Sequence, residues 1–373
     1  MSRLNDLHSK SANHANHANH ANHTSHTSHM NHVSHTHHTN HTGRVRRTIR
    51  TIALLGVLAP LGLGVGLGCS GAPQPKTVCK KCPKLPEAPA KGESSEVSAP
   101  SLPDYGAIPE GPFGDSVRRG EKIFTETTVY AADYAGTSHN CVNCHLDAGR
   151  RANSAPLWAS WGMYPAYRKK NDRINSMEDR LRGCFTYSMN ASVSKAGQAP
   201  PPGDAILMDL QAYMRWLALG VSTGRELPGR GFPKLADPGS PPDVTAGAQV
   251  YADNCAICHG SEGLGLEVEE GHVQFPPLWG AKAYNWGAGM HRINTAAGFI
   301  KANMPLGKGN SLTDKQAWDV AAYINSHERP PDPRQEGALA DADAAFHGHQ
   351  CLYGEAGKDG GEILGVGIAA AAE

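Results

Sequence analysis

Net charge is what this sequence lacks first. Its 35 Lys and Arg balance 35 Asp and Glu, so no global field selects nucleic acid or an anionic membrane surface as partner. Apolar residues are also short, at 39%, against 42 Gly and 26 Pro. At 373 residues the chain has the length of two or three ordinary domains, but this composition holds less folded material, and both ends look non-globular. Long hydrophobic runs are nearly absent. The one from Thr51 to Gly68 is broken by glycines, which makes it a poor uncleaved anchor helix.

What is present is uneven. Residues 1–43 repeat Asn-His-Ala and then Thr-Ser-His, and hold twelve of the 20 histidines. A His-rich tract can bind transition metals. The favoured reading is a disordered leader, or a start codon further on at Met30, because no core can form here. Arg44, Arg46, Arg47 and Arg50 then precede the apolar run, the basic and hydrophobic parts of an export signal. The ending Leu67-Gly68-Cys69-Ser70 resembles a lipoprotein cleavage site, although Gly66 stands where Leu is usual. Cys69 is thus expected as a lipid anchor on the periplasmic side of a bacterial membrane, with a soluble periplasmic protein as the alternative. Residues 70–103 are a low-complexity tether. Cys79 and Cys82 within it lack a following histidine and read as a local disulfide.

The pattern Cys-x-x-Cys-His occurs twice, as Cys141-Val142-Asn143-Cys144-His145 and Cys255-Ala256-Ile257-Cys258-His259. Two thiols one helical turn apart can form thioethers to the haem vinyl groups, while the next residue presents an imidazole to the iron. Two such copies predict two covalently bound haems c. Structural disulfides or a zinc ribbon would leave both histidines without a role.

Each motif sits inside a repeated frame. Gly120-Glu121-Lys122-Ile123-Phe124 matches Gly247-Ala248-Gln249-Val250-Tyr251, with thirteen extra residues before the first motif. Pro156-Leu157-Trp158 matches Pro277-Leu278-Trp279, Arg173-Ile174-Asn175 matches Arg292-Ile293-Asn294, and the segment from Asp209 to Met214 matches that from Asp319 to Ile324. Ile206, Leu210, Tyr213, Met214 and Leu217 mark an apolar helical face ending near Gly220. In the second copy Thr313 and Gln316 form a capping box, with Pro330-Pro331 as the stop. The expected fold is mainly α, two tandem class I cytochrome c domains over 104–232 and 241–331, followed by a tail over 332–373. Small domains of this kind bury little surface alone, so haem supplies much of each core.

The distal positions differ between the copies. Met304, before Pro305, suits a high-potential His/Met haem with His259. It lies twelve residues after Arg292, whereas eleven residues after Arg173 stands Cys184. Cys184 is therefore the expected distal ligand opposite His145, a strongly donating thiolate and a nucleophile if it leaves the iron. Arg180 and Ser188 flank it at four residues either side, which on one helix places all three on a shared face. The second copy has Phe299 in place of Arg180, so the frame does not require the arginine. From Asp147 to Arg182 there are eight Lys and Arg against four Asp and Glu, a setting for a small oxyanion.

At these residues the chain resembles the dihaem thiosulfate dehydrogenase (TsdA) family, over about Gly120 to Pro331. The most specific stretches are Arg180 to Asn190 and Pro277 to Gly307, including Asn285-Trp286-Gly287-Ala288-Gly289-Met290. The resemblance implies that two thiosulfates are joined to tetrathionate at the haem bearing Cys184, with Arg180 and Ser188 beside it. Electrons would leave through the His259/Met304 haem to an external c-type cytochrome or terminal oxidase. Some family members carry a lysine next to the second-haem methionine; here that position is Asn303. Two other readings stand beside this one: a lipid-tethered dihaem electron carrier without a substrate, and a cytochrome acting on a carrier-bound sulfur species. The direction stays open, because tetrathionate reduction uses the same site in reverse. In the tail, His347, His349 and Cys351 offer metal ligands, but an unstructured end with one disulfide partner is the favoured expectation.

Overall fold

The computed structural model describes residues 100–223, 226–269 and 272–368. The His-rich leader, Met30, Cys69 and the Cys79/Cys82 pair lie outside the described residues. Among the described residues, no helix is long and apolar enough to cross a membrane.

The first half opens with α1, Pro112–Thr125. Proline stands at its start, Asp115 in its first turn and Lys122 in its last, matching the polarity of the helix ends. Val117, Gly120, Ile123 and Phe124 form its buried stripe. A short antiparallel hairpin pairs β1, Ala166–Arg168, with β2, Arg173–Asn175. It leads into α2, Met177–Gly183, whose start is fixed by a reciprocal capping box between Ser176 and Asp179. Helix α3, Ala205–Leu217, begins where the Asp204 carboxylate accepts the Ile206 amide. It buries Leu207, Leu210, Tyr213, Met214, Trp216 and Leu217, and ends three residues before Gly220.

The second half repeats this plan with α4, Val244–Asn254, α5, Ile293–Asn303, and α6, Asp314–Asn325. A hairpin of β3, Leu266–Glu269, and β4, His272–Phe275, follows the second cysteine motif. The Thr313/Gln316 capping box is formed. The α6 helix stops at Asn325, with Ser326 as its cap, so the Pro330-Pro331 stop is not what ends it.

The duplication is visible at atomic detail where helices cross. A Cβ on Gly120 would lie 2.0 Å from the Asp209 carbonyl oxygen and 2.9 Å from Tyr213 Cβ. At Gly247 the same distances are 2.1 Å to the Asp319 oxygen and 2.9 Å to Tyr323 Cβ. Only glycine lets α1 meet α3, and α4 meet α6, this closely. Both crossings are clamped by a buried aspartate. Asp209 accepts from Ser116 Oγ and from the Arg119 guanidinium, and Asp319 accepts from Lys315 Nζ and the Asp243 amide.

Two hydrophobic cores follow, one around Trp158, Phe185, Tyr213 and Trp216, the other around Tyr251, Trp279, Phe299 and Trp318. The fold is thus mainly α, with two tandem cytochrome c domains.

The tail departs from expectation. It forms α7, Leu339–Ala342, continues as a π-turn over Asp343–His347, and adds a third small core of Ala342, Tyr353 and Leu364 around Trp286. Asp332 and His347 are buried, and Cys351 is a free thiol rather than half of a disulfide. The reason is complementary burial: Trp286, far upstream, supplies the apolar surface that the tail cannot provide alone.

Candidate haem centres

Both Cys-x-x-Cys-His motifs are prepared in the same way. His145 Nδ1 faces the Ala155 carbonyl at 2.7 Å, and His259 Nδ1 faces the Pro276 carbonyl at 2.8 Å. Donation of Nδ1–H to a carbonyl fixes the tautomer and leaves Nε2 as a free lone pair, the atom an iron needs. Burial lowers the His145 pKa to about 4 and also lowers that of His259, so both rings are neutral at physiological pH. Cys141, Cys144, Cys255 and Cys258 are all free thiols. The residues present fit covalently attached haem at each motif.

Cys184 and Arg180 are brought together. Arg180 Nη1 donates to Cys184 Sγ at 3.0 Å across the last turn of α2. The sulfur raises the arginine pKa above its ordinary value, more than burial lowers it. Both groups lie against the first motif. Burial raises the Cys141 and Cys144 thiols most, the Thr127 hydrogen bond pulls Cys141 back down, and the nearby Cys184 raises both. Arg180 acts likewise on His145, lowering its pKa after burial has done so.

The helix bearing these residues is not uniformly α. At Cys184 it widens into a π-turn, Cys184–Ser188, closed by the Met189 amide donating to the Cys184 carbonyl at 3.0 Å. Single π-turns inside helices concentrate at functional sites. The turn carries Ser188 to its far end, half-buried and, among the described residues, hydrogen-bonded to neither Arg180 nor Cys184. Arg173 is exposed and pairs with Asp179 at the α2 cap, a structural role.

Sequence reasoning missed two contributors. Tyr164 lies close enough to Arg180 to help raise the arginine pKa, after Cys184. From the second half, Asn285 docks on the π-turn: its Nδ2 donates to the Thr186 carbonyl at 3.0 Å and to Asn190 Oδ1 at 2.9 Å. Its own amide donates to the Tyr187 carbonyl, and Lys170 Nζ donates to the Gly287 carbonyl at 2.6 Å. No local pattern announces such pairings across about a hundred residues. In the sequence the stretch from Asn285 to Met290 stands out only through the family resemblance.

Met304 follows directly on α5 and packs on the second core, as do Cys255 and Ala256. Asn303 is buried and tied to the first half, its Nδ2 donating to the Asn153 carbonyl at 3.0 Å and to Phe299 O at 3.1 Å.

Comparison with known proteins agrees with this geometry. The family model described as cytochrome c oxidase, cbb3-type, subunit III, matches residues 242–324. A thiosulfate dehydrogenase of Stutzerimonas stutzeri is 48% identical over 289 residues, spanning 76% of this chain and 90% of the relative. This chain belongs to the thiosulfate dehydrogenase family. A second thiosulfate dehydrogenase, from Thiomonas intermedia, is 45% identical over 287 residues, 75% of this chain and 88% of the relative. Among solved structures, thiosulfate dehydrogenase (TsdBA) from Marichromatium purpuratum superposes with a TM-score of 0.70 at 50% identity, over 73% of this chain. The chain covers 58% of that longer protein. Membership of this family makes the chain an oxidoreductase of the haem c class.

Proposed function

We propose that this protein oxidises thiosulfate to tetrathionate at Cys184 and passes the electrons to an external acceptor. The contact between Arg180 and Cys184 beside the first haem motif carries the reading. A plain electron carrier does not require a cation held on a sulfur beside its haem motif. It can both hold an anionic sulfur nucleophile and receive an anionic sulfur substrate.

Haem c would be held by Cys141, Cys144 and His145 and by Cys255, Cys258 and His259, with Cys184 and Met304 as further candidate ligands, and would supply one-electron centres. Arg180, beside Tyr164, binds the sulfonate oxygens of thiosulfate, and Ser188 offers a hydroxyl donor from the end of the π-turn. The Cys184 thiolate and the thiosulfate sulfane sulfur lose two electrons and form a sulfur–sulfur bond. A second thiosulfate then attacks that sulfane sulfur, which breaks the bond to Cys184, releases tetrathionate and restores the thiolate. In reverse, the same steps reduce tetrathionate. The acceptor would be a c-type cytochrome or terminal oxidase.

The export leader supports a periplasmic site of action with Cys69 as lipid anchor. Mass spectrometry of the mature N-terminus tests this: a diacylglyceryl-modified Cys69 supports the anchor, and an unmodified residue after Gly68 refutes it.

Steady-state oxidation of thiosulfate with an artificial acceptor tests the activity. Tetrathionate should form with one electron pair delivered per two thiosulfates consumed. Fully haem-loaded protein without turnover in either direction would refute the reading.

A further inference from the structure

Three imidazoles converge at a place that the haem centres do not use. His291, at the end of the turn before α5, meets His347 and His349 from the tail. One ring nitrogen of each lies within 4.8 Å of the others, and His291 and His347 are each only 2% exposed. Aromatic packing accounts for part of this, since His347 stacks on Tyr353 at 3.7 Å. It does not account for the nitrogens. His291 Nε2 and both nitrogens of His349 are buried without a partner. An unsatisfied buried polar atom is costly, so three at one place call for a partner.

The hydrogen bonds that are made set the rings up as ligands. His291 directs Nδ1 at the Ala288 carbonyl, which leaves Nε2 as the lone pair. His347 directs Nε2 at Asp332 Oδ2 over 3.1 Å, which leaves Nδ1. A histidine held by a buried carboxylate on one nitrogen and free on the other is the usual outer support of a metal ligand. Asp332 is itself occupied by a two-pronged bond from Arg334, so it orients rather than ligates. Cys351 Sγ stands 3.9 Å from His347 Nδ1 but donates to the His347 carbonyl at 3.4 Å and lies outside the cluster of three imidazoles.

We propose that His291, His347 and His349 bind one transition-metal ion of the imidazole-preferring class, zinc or copper. The donor set holds no free carboxylate, which disfavours calcium and magnesium. In a tetrahedral site with bonds of about 2.0–2.1 Å, ligand nitrogens lie about 3.3 Å apart, so the rings close inward by roughly an ångström on binding. The ion would fasten the tail to the turn that leads from Asn285 into α5. It is a structural clamp, separate from the haem motifs.

The test uses the full chain, loaded with excess zinc or, separately, copper, then passed over a chelating resin and assayed for metal and haem. The leader histidines are common to every sample, so the readout is the difference from a variant. Wild type should retain about one equivalent more metal than His291→Ala/His349→Ala at equal haem content. Should the double variant lose haem, His349→Phe, which keeps an aromatic ring, gives the same comparison. The difference in X-ray absorption at the metal edge, wild type minus variant, should show a shell dominated by imidazole nitrogen. Equal retention of both metals in wild type and variant, or a shell of oxygen only, overturns the proposal.

Discussion

Arg180 Nη1 sits 3.0 Å from Cys184 Sγ, one turn earlier on the same helix. The pairing joins a permanent cation to the sulfur that distinguishes the first half from the second, where Phe299 and Met304 stand at the corresponding positions. On the proposed function, anion binding and sulfur chemistry would form a single local unit, and separate substitutions should pull the two apart.

Cys184→Met should keep haem attached at both motifs, since Cys141, Cys144 and His145 are untouched, yet lose thiosulfate oxidation by on the order of a thousandfold or more. Arg180→Ala should instead raise KM roughly tenfold to a hundredfold, the value of one charge-assisted hydrogen bond of about 1.5–3 kcal/mol. Steady-state kinetics on haem-matched samples separates them. Near-wild-type turnover in Cys184→Met would remove it from the chemistry.

Met304 is expected to matter for electron exit alone. Met304→Gly should slow turnover with a cytochrome acceptor while thiosulfate still perturbs the optical spectrum of the first haem. If thiosulfate perturbs the second haem instead, the two centres have been assigned the wrong way round.

Asn285→Ala should loosen the π-turn from outside. It takes the side-chain donor from the Thr186 carbonyl, at about 1–3 kcal/mol for a buried group left unpaired, while Asn190 Oδ1 keeps the Ser192 hydroxyl. A lower kcat/KM with unchanged haem content is the expected signature. A thermal midpoint and kinetics both equal to wild type would show that the docking does not support the site.

Gly120→Ala and Gly247→Ala should each destabilise by about 1–3 kcal/mol or more, because the new methyl meets a backbone carbonyl that cannot yield. Thermal unfolding monitored through the haem absorbance of each half measures this. Equal midpoints for wild type and both variants would mean that the crossings relax freely.

The most legible features in the sequence were those with short, fixed spacing. Covalent haem attachment needs two thiols and an imidazole within five residues, and helix packing repeats Gly120 as Gly247 and Asp209 as Asp319, so motif, duplication and helices could all be read from the order of residues. The register that put Cys184 opposite Met304 came from the same repeat. The π-turn left no trace, because its widening depends on what packs around residues 184–188. Tyr164 and Asn285 reach the site from distant segments. The tail was misread because residues 332–373 have too little apolar surface to form a core until Trp286 is placed among them.

The two glycine crossings carry a consequence for how such a protein diversifies. Because α1 with α3, and α4 with α6, hold the same contacts in both halves, the frame of each domain is settled away from the distal position. The distal position differs between the copies, a cysteine with an arginine in one and a methionine in the other. The residues that let the helices pack are thus not the residues that set the two halves apart, so either set can be changed without disturbing the other.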